Sequence, residues 1–552
     1  MAWTETFIWV AILSYGWYKL SWNLLRRYFI SNNTALDDIE LLGKAPPAQK
    51  IPGTVVIAGG SFSGYVSARI LADYFQTIIL IDPESGVVAN GRVPQRPLFH
   101  LLLAISLKIL RKLYPSFDNE APKDDVYTFP GVRHWWIGRN YFGDFKLKRP
   151  EQIGGSRISI ERLCRRLSIA YCGKRLQVIQ GTVTGLKASP DKTTIQSVSY
   201  RSASPSSEAP TTTTATSNTI PCVLFVDCAG PSTIGSKLLP AASEKWGPYT
   251  RTSYNPNAKH YAASFLLTPE TQEKVSRALP KDDRSFGRWD KCAVICAFSP
   301  TLDTSPELFS YQRIEGNRLL IGYSGWNVDR CPKTLAQYIE TTRQLHNKNT
   351  SKERHHQDEW LFDVLRLLGE DADILDEPIQ WNGHTMTSSF WIDYGSKTVP
   401  NNFIAIGDSV MGVNPIFGQG VAKLLYNATV LNSILHKATT TKRVVELPKR
   451  FSRSYFERIL RIDKGMFDTN RTLDYAYEST VPQPGETLEA GKGFRRYFEA
   501  VLHSLAYDPS RYEVFVHVFG GFSPGIDLLT PSFILKSLFW MWWSPPKASS
   551  SS

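Results

Sequence analysis

One stretch, residues 54–84, TVVIAGGSFSGYVSARILADYFQTIILIDPE, constrains this chain more than any other. It reads as a strand over 54–58, a glycine turn, a helix from about 62 to 75, a second strand over 77–81 and an acid, Asp82. That order is the βαβ unit that binds a dinucleotide. Gly59 permits the tight turn after the first strand, Gly64 lets the helix pack closely on the sheet, and Ser61 stands where a middle glycine is usual. A serine is still small enough for a pyrophosphate to approach the helix N-terminus, where free N–H groups favour anions. Asp82, 18 residues beyond Gly64, is placed to accept hydrogen bonds from the adenosine ribose, and an acid there suits an unphosphorylated one. An ordinary turn between strand and helix would also use Gly and Ser. Here both strands, the helix and the terminal acid fall in place together.

At 552 residues the chain exceeds one ordinary domain, and 42% hydrophobic content is that of a globular protein. The net charge of +12 invites an anionic partner, but Lys and Arg are dispersed and no nucleic-acid-binding motif appears, so nucleic acid is set aside. Seven scattered cysteines without a CxxC pair argue against a disulfide framework or structural zinc and point to a reducing compartment. No obligate protein partner is evident.

Residues 1–30 are expected to form a membrane anchor, because 6–25 (TFIWVAILSYGWYKLSWNLL) is mostly apolar, rich in Trp and Tyr, and followed by Arg26 and Arg27. Lys19 leaves open a helix lying in the interface, and a buried helix of the fold is the plain alternative. Beyond a linker at 44–52, residues 50–245 hold the first part of a dinucleotide-binding domain. Within it, Leu103, Leu107, Leu110 and Leu113 follow helical spacing, preceded by a cluster of Arg92, Gln95 and His100. The segment 156–167 reads as a helix opened by Ser156 or Ser159. Glu161 and Arg165, one turn apart, suit a surface ion pair, while Arg157 at the helix entry could face an anionic ligand. The Ser/Thr/Pro-rich run at 202–219 reads as a disordered loop without catalytic role. VLFVDCAG (223–230) is a second buried strand ending in Asp227 and Gly230.

Residues 246–395 shift to strands followed by helices, a sheet-plus-helix domain over a substrate cavity. Residues 396–440 return to the dinucleotide domain. There a strand runs into Gly407 and Asp408, an irregular loop carries Asn414, Pro415, Gly418 and Gly420, and a helix follows whose positive end would face a flat ligand. Residues 441–552 read as a helical region whose apolar end, around 533–543, suits an interface or packing on the protein itself.

GGSFSG with Asp82, RVPQ from Arg92, Ser156-Arg157 with Glu161 and Arg165, VDCAG and IGDSVMGVNPIFGQG together resemble the FAD-dependent aromatic-hydroxylase-like monooxygenases. More narrowly they resemble the epoxidase and hydroxylase branch of natural-product pathways, similar in layout to squalene epoxidase. The resemblance runs from about 54 to 435 and implies a mixed α/β fold: a Rossmann-type FAD-binding domain with an inserted substrate domain, a helical C-terminal tail and an N-terminal membrane segment. It implies that Gly59, Ser61 and Gly64 hold the FAD pyrophosphate and that Asp82 holds the ribose. Arg92 and Arg157 would lie near the cofactor, and Asp227 with Gly230 at a motif linked to both FAD and NADPH. Gly407 and Asp408 would bind the ribityl chain and pyrophosphate, while Asn414, Pro415, Gly418 and Gly420 cover the isoalloxazine edge.

The implied activity uses NADPH and O2 to epoxidise or hydroxylate a C=C bond or ring of a lipophilic polyketide or terpenoid, through a flavin C4a-hydroperoxide. No proton-transfer residue is named. VDCAGP lacks the arginine often found after that glycine, which leaves the NADPH contact open. With lipophilic substrates and apolar termini, attachment to the endoplasmic reticulum with a cytosolic body is expected. A flavin-dependent halogenase shares the glycine-rich start, although WxWxIP is missing after the first domain. A geranylgeranyl-reductase-like flavoenzyme shares the fold, and the non-enzymatic alternative is a membrane-anchored binding or scaffold protein.

Overall fold

The computed structural model describes residues 2–84, 91–132, 134–145, 147–202, 217–281, 287–290, 294–302, 304–326, 328, 331–370, 374–441 and 445–543. Most of the low-complexity run, residues 203–216, lies outside them.

Four short apolar runs, VVIA, IILI, LFV and FIA, build the centre of the larger core. Such runs suit strands covered on both faces, as parallel sheets require. They lie in the strands Ile51–Ala58, Phe75–Asp82, Leu224–Asp227 and Phe403–Ala405. The seven-stranded sheet runs, edge to edge, Phe403–Ala405, Leu224–Asp227, Ile51–Ala58, Phe75–Asp82, Leu176–Ala188, Ile195–Ser202, Ser217–Pro221. Its first five strands are parallel and the last two turn back as antiparallel hairpins. The Phe62–Leu71 helix is buried along its whole length, packed against the helices Arg157–Cys172 and Gly420–His436.

A second seven-stranded sheet runs Asn382–Met386, Ala258–Leu266, Arg318–Gly325, Glu307–Ile314, Val294–Ser299, Trp135–Ile137, Asn140–Tyr141. The helices Leu335–Asn349 and Trp360–Glu370 pack with it around Phe309, Tyr311, Tyr338 and Leu365. Trp135–Ile137 belongs early in the chain, yet it pairs in parallel with Val294–Ser299. Among the described residues the C-terminal region includes the α-helices Phe451–Asp474, Lys492–Ser504, Pro509–Phe519 and Pro531–Trp543.

The N-terminal helix corrects the expectation of a membrane-spanning anchor. Residues Ala2–Asn33 do form one helix, but no helix among the described residues is long and apolar enough to cross a membrane. Length is not what fails, since a bilayer core takes about 20 residues. Ser14, Lys19, Ser21 and Asn23 dilute the apolar run. The transmembrane anchor is therefore overturned, and with it the placement at the endoplasmic reticulum. The C-terminal end of this helix is tied to the body: Arg458 donates to the Asn32 carbonyl at 2.8 Å and to Asp38 at 2.8 Å, and Arg26 pairs with Asp527 at 2.8 Å. The last helix is likewise held by the protein, through Arg511 to the Phe533 carbonyl at 3.0 Å and Lys536 to Asp508 at 3.0 Å.

Candidate cofactor and substrate site

The chain leaves the Ile51–Ala58 strand at Gly59, where φ is +105°, a region that favours glycine. A Cβ there would stand 2.3 Å from the Cys228 carbonyl oxygen. Gly64 closes on the same turn, since its Cβ would stand 1.9 Å from the Gly59 oxygen. Ser61 occupies the N-cap position of the Phe62–Leu71 helix but makes no capping bond; its Oγ donates instead to Glu161 Oε1 at 2.7 Å. The first-turn N–H groups are left without a side-chain cap, the state in which a helix start receives an anion. Asp82 Oδ2 accepts from Gly60 N–H at 2.5 Å and Oδ1 from Glu84 N–H at 2.7 Å. Burial raises the Asp82 carboxyl above its ordinary value against these bonds. Asp82 thus holds the turn in shape and keeps lone pairs for hydroxyl donors.

Glu161 sits at the centre of this cleft. Its side chain is 1% exposed and accepts from Ser61 and from Arg96 Nη2 at 3.0 Å, with Arg157 Nε 3.8 Å away. This corrects the surface pair with Arg165: the Glu161 face of the helix packs against Phe62–Leu71, and Arg165 donates to the Tyr65 hydroxyl at 2.9 Å. Arg92 is exposed, its backbone N–H donating to Glu84. Arg96, four residues on and missed in the sequence, is the buried arginine, joining Glu161 to Glu84 at 2.8 Å. The readable signal was its place directly before the apolar run PLFHLLL. Arg157 is mostly buried, and its Nε makes no hydrogen bond among the described residues.

Two more turns meet this cleft. The Asp227 carboxyl is fully buried and faces its own loop: Oδ1 accepts from Ala229 N–H and Ser409 Oγ, both at 2.9 Å, and Oδ2 from Gly235 N–H at 2.7 Å. Burial raises it to about 6. Ser409 also accepts from Gly230 N–H at 3.0 Å, so Asp227 ties the 227–235 and 407–409 turns together. Gly407 N–H donates to Asn427 Oδ1 at 3.0 Å, and Asn427 Nδ2 in turn donates to Asp463 at 3.1 Å.

Asp408 has a partner that the sequence reading did not assign. The buried Lys423 ammonium lies 2.5 Å from Asp408 Oδ1 and also donates to the Met411 carbonyl. Asp408 is 37% exposed, which leaves its other oxygen open to a ligand. Pro415 opens a short turn, Pro415–Phe417, capped by Asn414 Oδ1 on Ile416 N–H at 3.2 Å. Gly418 packs against the Leu101 carbonyl, and at Gly420, the first residue of the Gly420–His436 helix, an added Cβ would meet nothing within 4 Å.

Beside this loop lies a cavity of about 710 Å³. Residues 415–419 form one wall, and Trp135, Phe298, Phe309, Trp326, Tyr477 and Phe519 are among the others, so the lining is chiefly apolar and rich in aromatic rings. Asp474 is buried behind it, accepting from Tyr254 Oη at 2.6 Å and from Trp326 Nε1 and Asn414 Nδ2 at 2.8 Å each.

Burial raises Asp474 and Asp463 each to about 7. Carboxyls raised above an unfolded value of about 4 bind protons more tightly in the fold, so their contribution is full below that pH and is lost as pH rises through 7. His100 and His260 act in the opposite sense, since burial lowers both to about 3. Their contribution is full above about pH 6.5 and is lost as pH falls toward 3. Asp474→Asn cannot ionise, so its thermal midpoint is expected to gain on the wild type by about 2 °C or more between pH 4.5 and 7.5. A difference that stays constant across that range would refute the assignment.

A largely parallel sheet opened by a glycine turn, with a second sheet lining a cavity, makes a mixed α/β fold. Solved structures share it. The flavin-dependent brominase Bmp2 aligns over 88% of this chain and 98% of its own, at TM-score 0.53 and 12% identity. A flavoprotein/dehydrogenase from Cytophaga hutchinsonii aligns over 89% and 98%, at 0.53 and 11%. PqsL, a probable FAD-dependent monooxygenase from Pseudomonas aeruginosa, aligns over 77% and 97%, at 0.50 and 13%. At these identities the likeness is one of fold. No protein-family model and no curated protein matches the chain.

Proposed function

We propose that this chain is an FAD-dependent monooxygenase that uses NADPH and O2 to hydroxylate or epoxidise a lipophilic natural product, in the manner of the squalene-epoxidase-like branch. The observation that carries the reading is that residues 415–419 are shared: they continue the chain from the Gly407–Asp408 turn and also form a wall of the aromatic cavity. A cofactor held by the first would present its reactive edge to the second.

The residues fit FAD. The uncapped helix start behind Ser61 and the close-packed Gly59 and Gly64 suit the pyrophosphate, Asp82 the ribose, and the free oxygen of Asp408 the ribityl chain. Arg157, with a buried Nε lacking a hydrogen bond, supplies a cation beside the cleft. The open space at Gly420 leaves room for a flat ring. Arg92 is a rim residue in this reading and Asp227 a positioning residue. FAD, once bound, supplies oxygen activation and transfer. The chain's part is to orient the substrate and exclude water: aromatic walls keep the cavity dry, and the Gly420–His436 helix directs its positive end at the 415–419 loop.

The test is a visible absorption spectrum of the purified protein before and after NADPH in air-free buffer. An oxidised-flavin spectrum that bleaches and returns with oxygen is expected. A colourless protein that cannot be reconstituted with FAD would overturn the proposal. The likeness to Bmp2 across 98% of that chain favours a second reading, a halogenase. Product that forms only when bromide or chloride is present would select it, and product formed without oxygen would select the reductase instead.

A further inference from the structure

The cavity wall next to the 415–419 loop carries two histidines that the reading above leaves without a task. His100 and His260 both line it. His100 belongs to the segment whose Leu101 carbonyl packs against Gly418, so it stands close to the loop shared by cleft and cavity. Its Nδ1 lies 2.9 Å from the Leu98 carbonyl oxygen. A carbonyl only accepts, so Nδ1 must carry the proton, and in a neutral ring Nε2 is then a bare acceptor. The ring is neutral at ordinary pH, because burial, the Arg157 charge and His260 together hold it at about 3. The ring keeps some accessible surface, and as a cavity-lining residue it turns that surface to the cavity. Nε2 makes no hydrogen bond to any described residue.

The neighbours do not satisfy it. His260 is 7% exposed, also neutral, with its Nε2 lacking a hydrogen bond. His384 stands opposite His260 across the strand pair, and its Nε2 is 3.4 Å from Gln95 Nε2. Arg157 acts on the ring through its charge but makes no hydrogen bond to Nε2, and of the other residues lining the cavity Leu98, Phe99, Trp135, Phe309 and Phe417 offer apolar surface while Gln95, Ser310 and Ser324 are polar. An acceptor left open in such a cavity costs free energy until a donor reaches it.

We propose that His100 is a specificity-determining residue of the cavity, selecting molecules with an O–H on an apolar skeleton, a phenol or enol hydroxyl that donates to Nε2. A ketone or ether would place its own lone pair against that of Nε2 and is rejected, as a site built to hydrogen-bond a hydroxyl rejects the analogue lacking it. No proton is transferred; the hydroxyl fixes how the skeleton lies against the 415–419 wall. This deepens the monooxygenase reading and rests on it for the reaction, while the binding stands on the cavity alone.

The experiment uses the full chain and two probes that differ only in whether the ring oxygen carries a hydrogen or a methyl group, 4-nonylphenol and its methyl ether 4-nonylanisole, with the His100 variants separating lost donation from added bulk. Binding is read from quenching of tryptophan fluorescence, since Trp135 and Trp326 line the cavity. The phenol is expected to bind about tenfold more tightly than the ether. In His100→Phe the two should fall within about twofold of each other, with ether binding retained. His100→Gln, which keeps an acceptor, should preserve part of the preference and serves should the Phe variant fail to fold. Equal affinities in the wild type, or a preference that survives in His100→Phe, would overturn the proposal. Because the readout needs no turnover, the two readings fail separately. A colourless protein that prefers the phenol removes the flavin reading alone, and a flavin-loaded protein without preference removes this one alone.

Discussion

Asp408→Ala is expected to lose FAD and to lose about 3 kcal/mol of stability at the same time. Were the carboxylate only a ligand for ribityl hydroxyls, its removal would empty the site and leave the fold alone. The structure gives it a second task, because Lys423 is 1% exposed and lies 2.5 Å from Asp408 Oδ1. Without the carboxylate that buried ammonium keeps the Met411 carbonyl but loses its direct ion-pair partner, with only the more distant Asp463 carboxyl acting on it. A buried charge left unpaired is among the costliest single changes a fold meets. Asp408→Asn retains an acceptor for the ammonium and should recover part of the stability while binding FAD weakly. Urea unfolding of wild type and both variants, each stripped of flavin, separates the fold term from the ligand term. An Asp408→Ala protein with wild-type stability would show the Lys423 pair to be idle, and one that also kept stoichiometric flavin would remove Asp408 from the site.

Gly59→Val is expected to yield no folded protein. Exclusion of pyrophosphate from the turn is the failure that the sequence suggests, but the added carbon meets the protein first, at 2.3 Å from the Cys228 carbonyl, on a backbone with φ of +105°. Both strain and clash fall between adjacent parallel strands in the larger core, and the expected loss is about 4 kcal/mol or more. Gly420→Ala is the control, since a Cβ there meets nothing within 4 Å. It should fold normally, and reduced flavin content in that variant would report the ligand near the helix start. Soluble yield and far-UV circular dichroism decide the first case. A folded, flavin-free Gly59→Val would restore the pyrophosphate explanation.

The contrast between these residues shows what a single sequence makes legible. The unit around Gly59, Gly64 and Asp82 is local: a strand, a turn, a helix and a strand within about thirty residues, each setting the next. The strands around Leu224 and Phe403 were legible as apolar runs, but the joining of Trp135–Ile137 to Val294–Ser299 in the second sheet was not. Arg96, Lys423 and Asp474 were not visible, because their meaning depends on partners far along the chain: Glu161, Asp408, and the trio of Tyr254, Trp326 and Asn414. Arg96 left a trace in its place before PLFHLLL, and Lys423 left a clearer one. Lys423 and Asn427 stand four apart in the otherwise apolar GVAKLLYNATVL, which places two polar groups on one face of a buried helix. Such a pair asks for buried partners, here Asp408 and Asp463. The N-terminal segment failed in the opposite way, since aromatic richness was read as membrane affinity while its serines, asparagine and lysine lowered the mean hydropathy below what a span requires.

The crossing of the chain between the two sheets bears on how the protein is made. Phe403–Ala405 completes the edge of the first sheet beside Leu224–Asp227, and Trp135–Ile137 has only the two-residue strand Asn140–Tyr141 to join until Val294–Ser299 has been synthesised. On a ribosome, a nascent chain of about 240 residues would already hold most of the parallel sheet with one edge open and apolar, and would wait through some 160 more residues for its cover. Long-range pairing of this kind slows folding and prolongs exposure of strand edges. Production of this chain is therefore expected to depend on chaperone capacity and growth temperature more than its final stability would suggest, and fragments cut at the boundary between the sheets should aggregate.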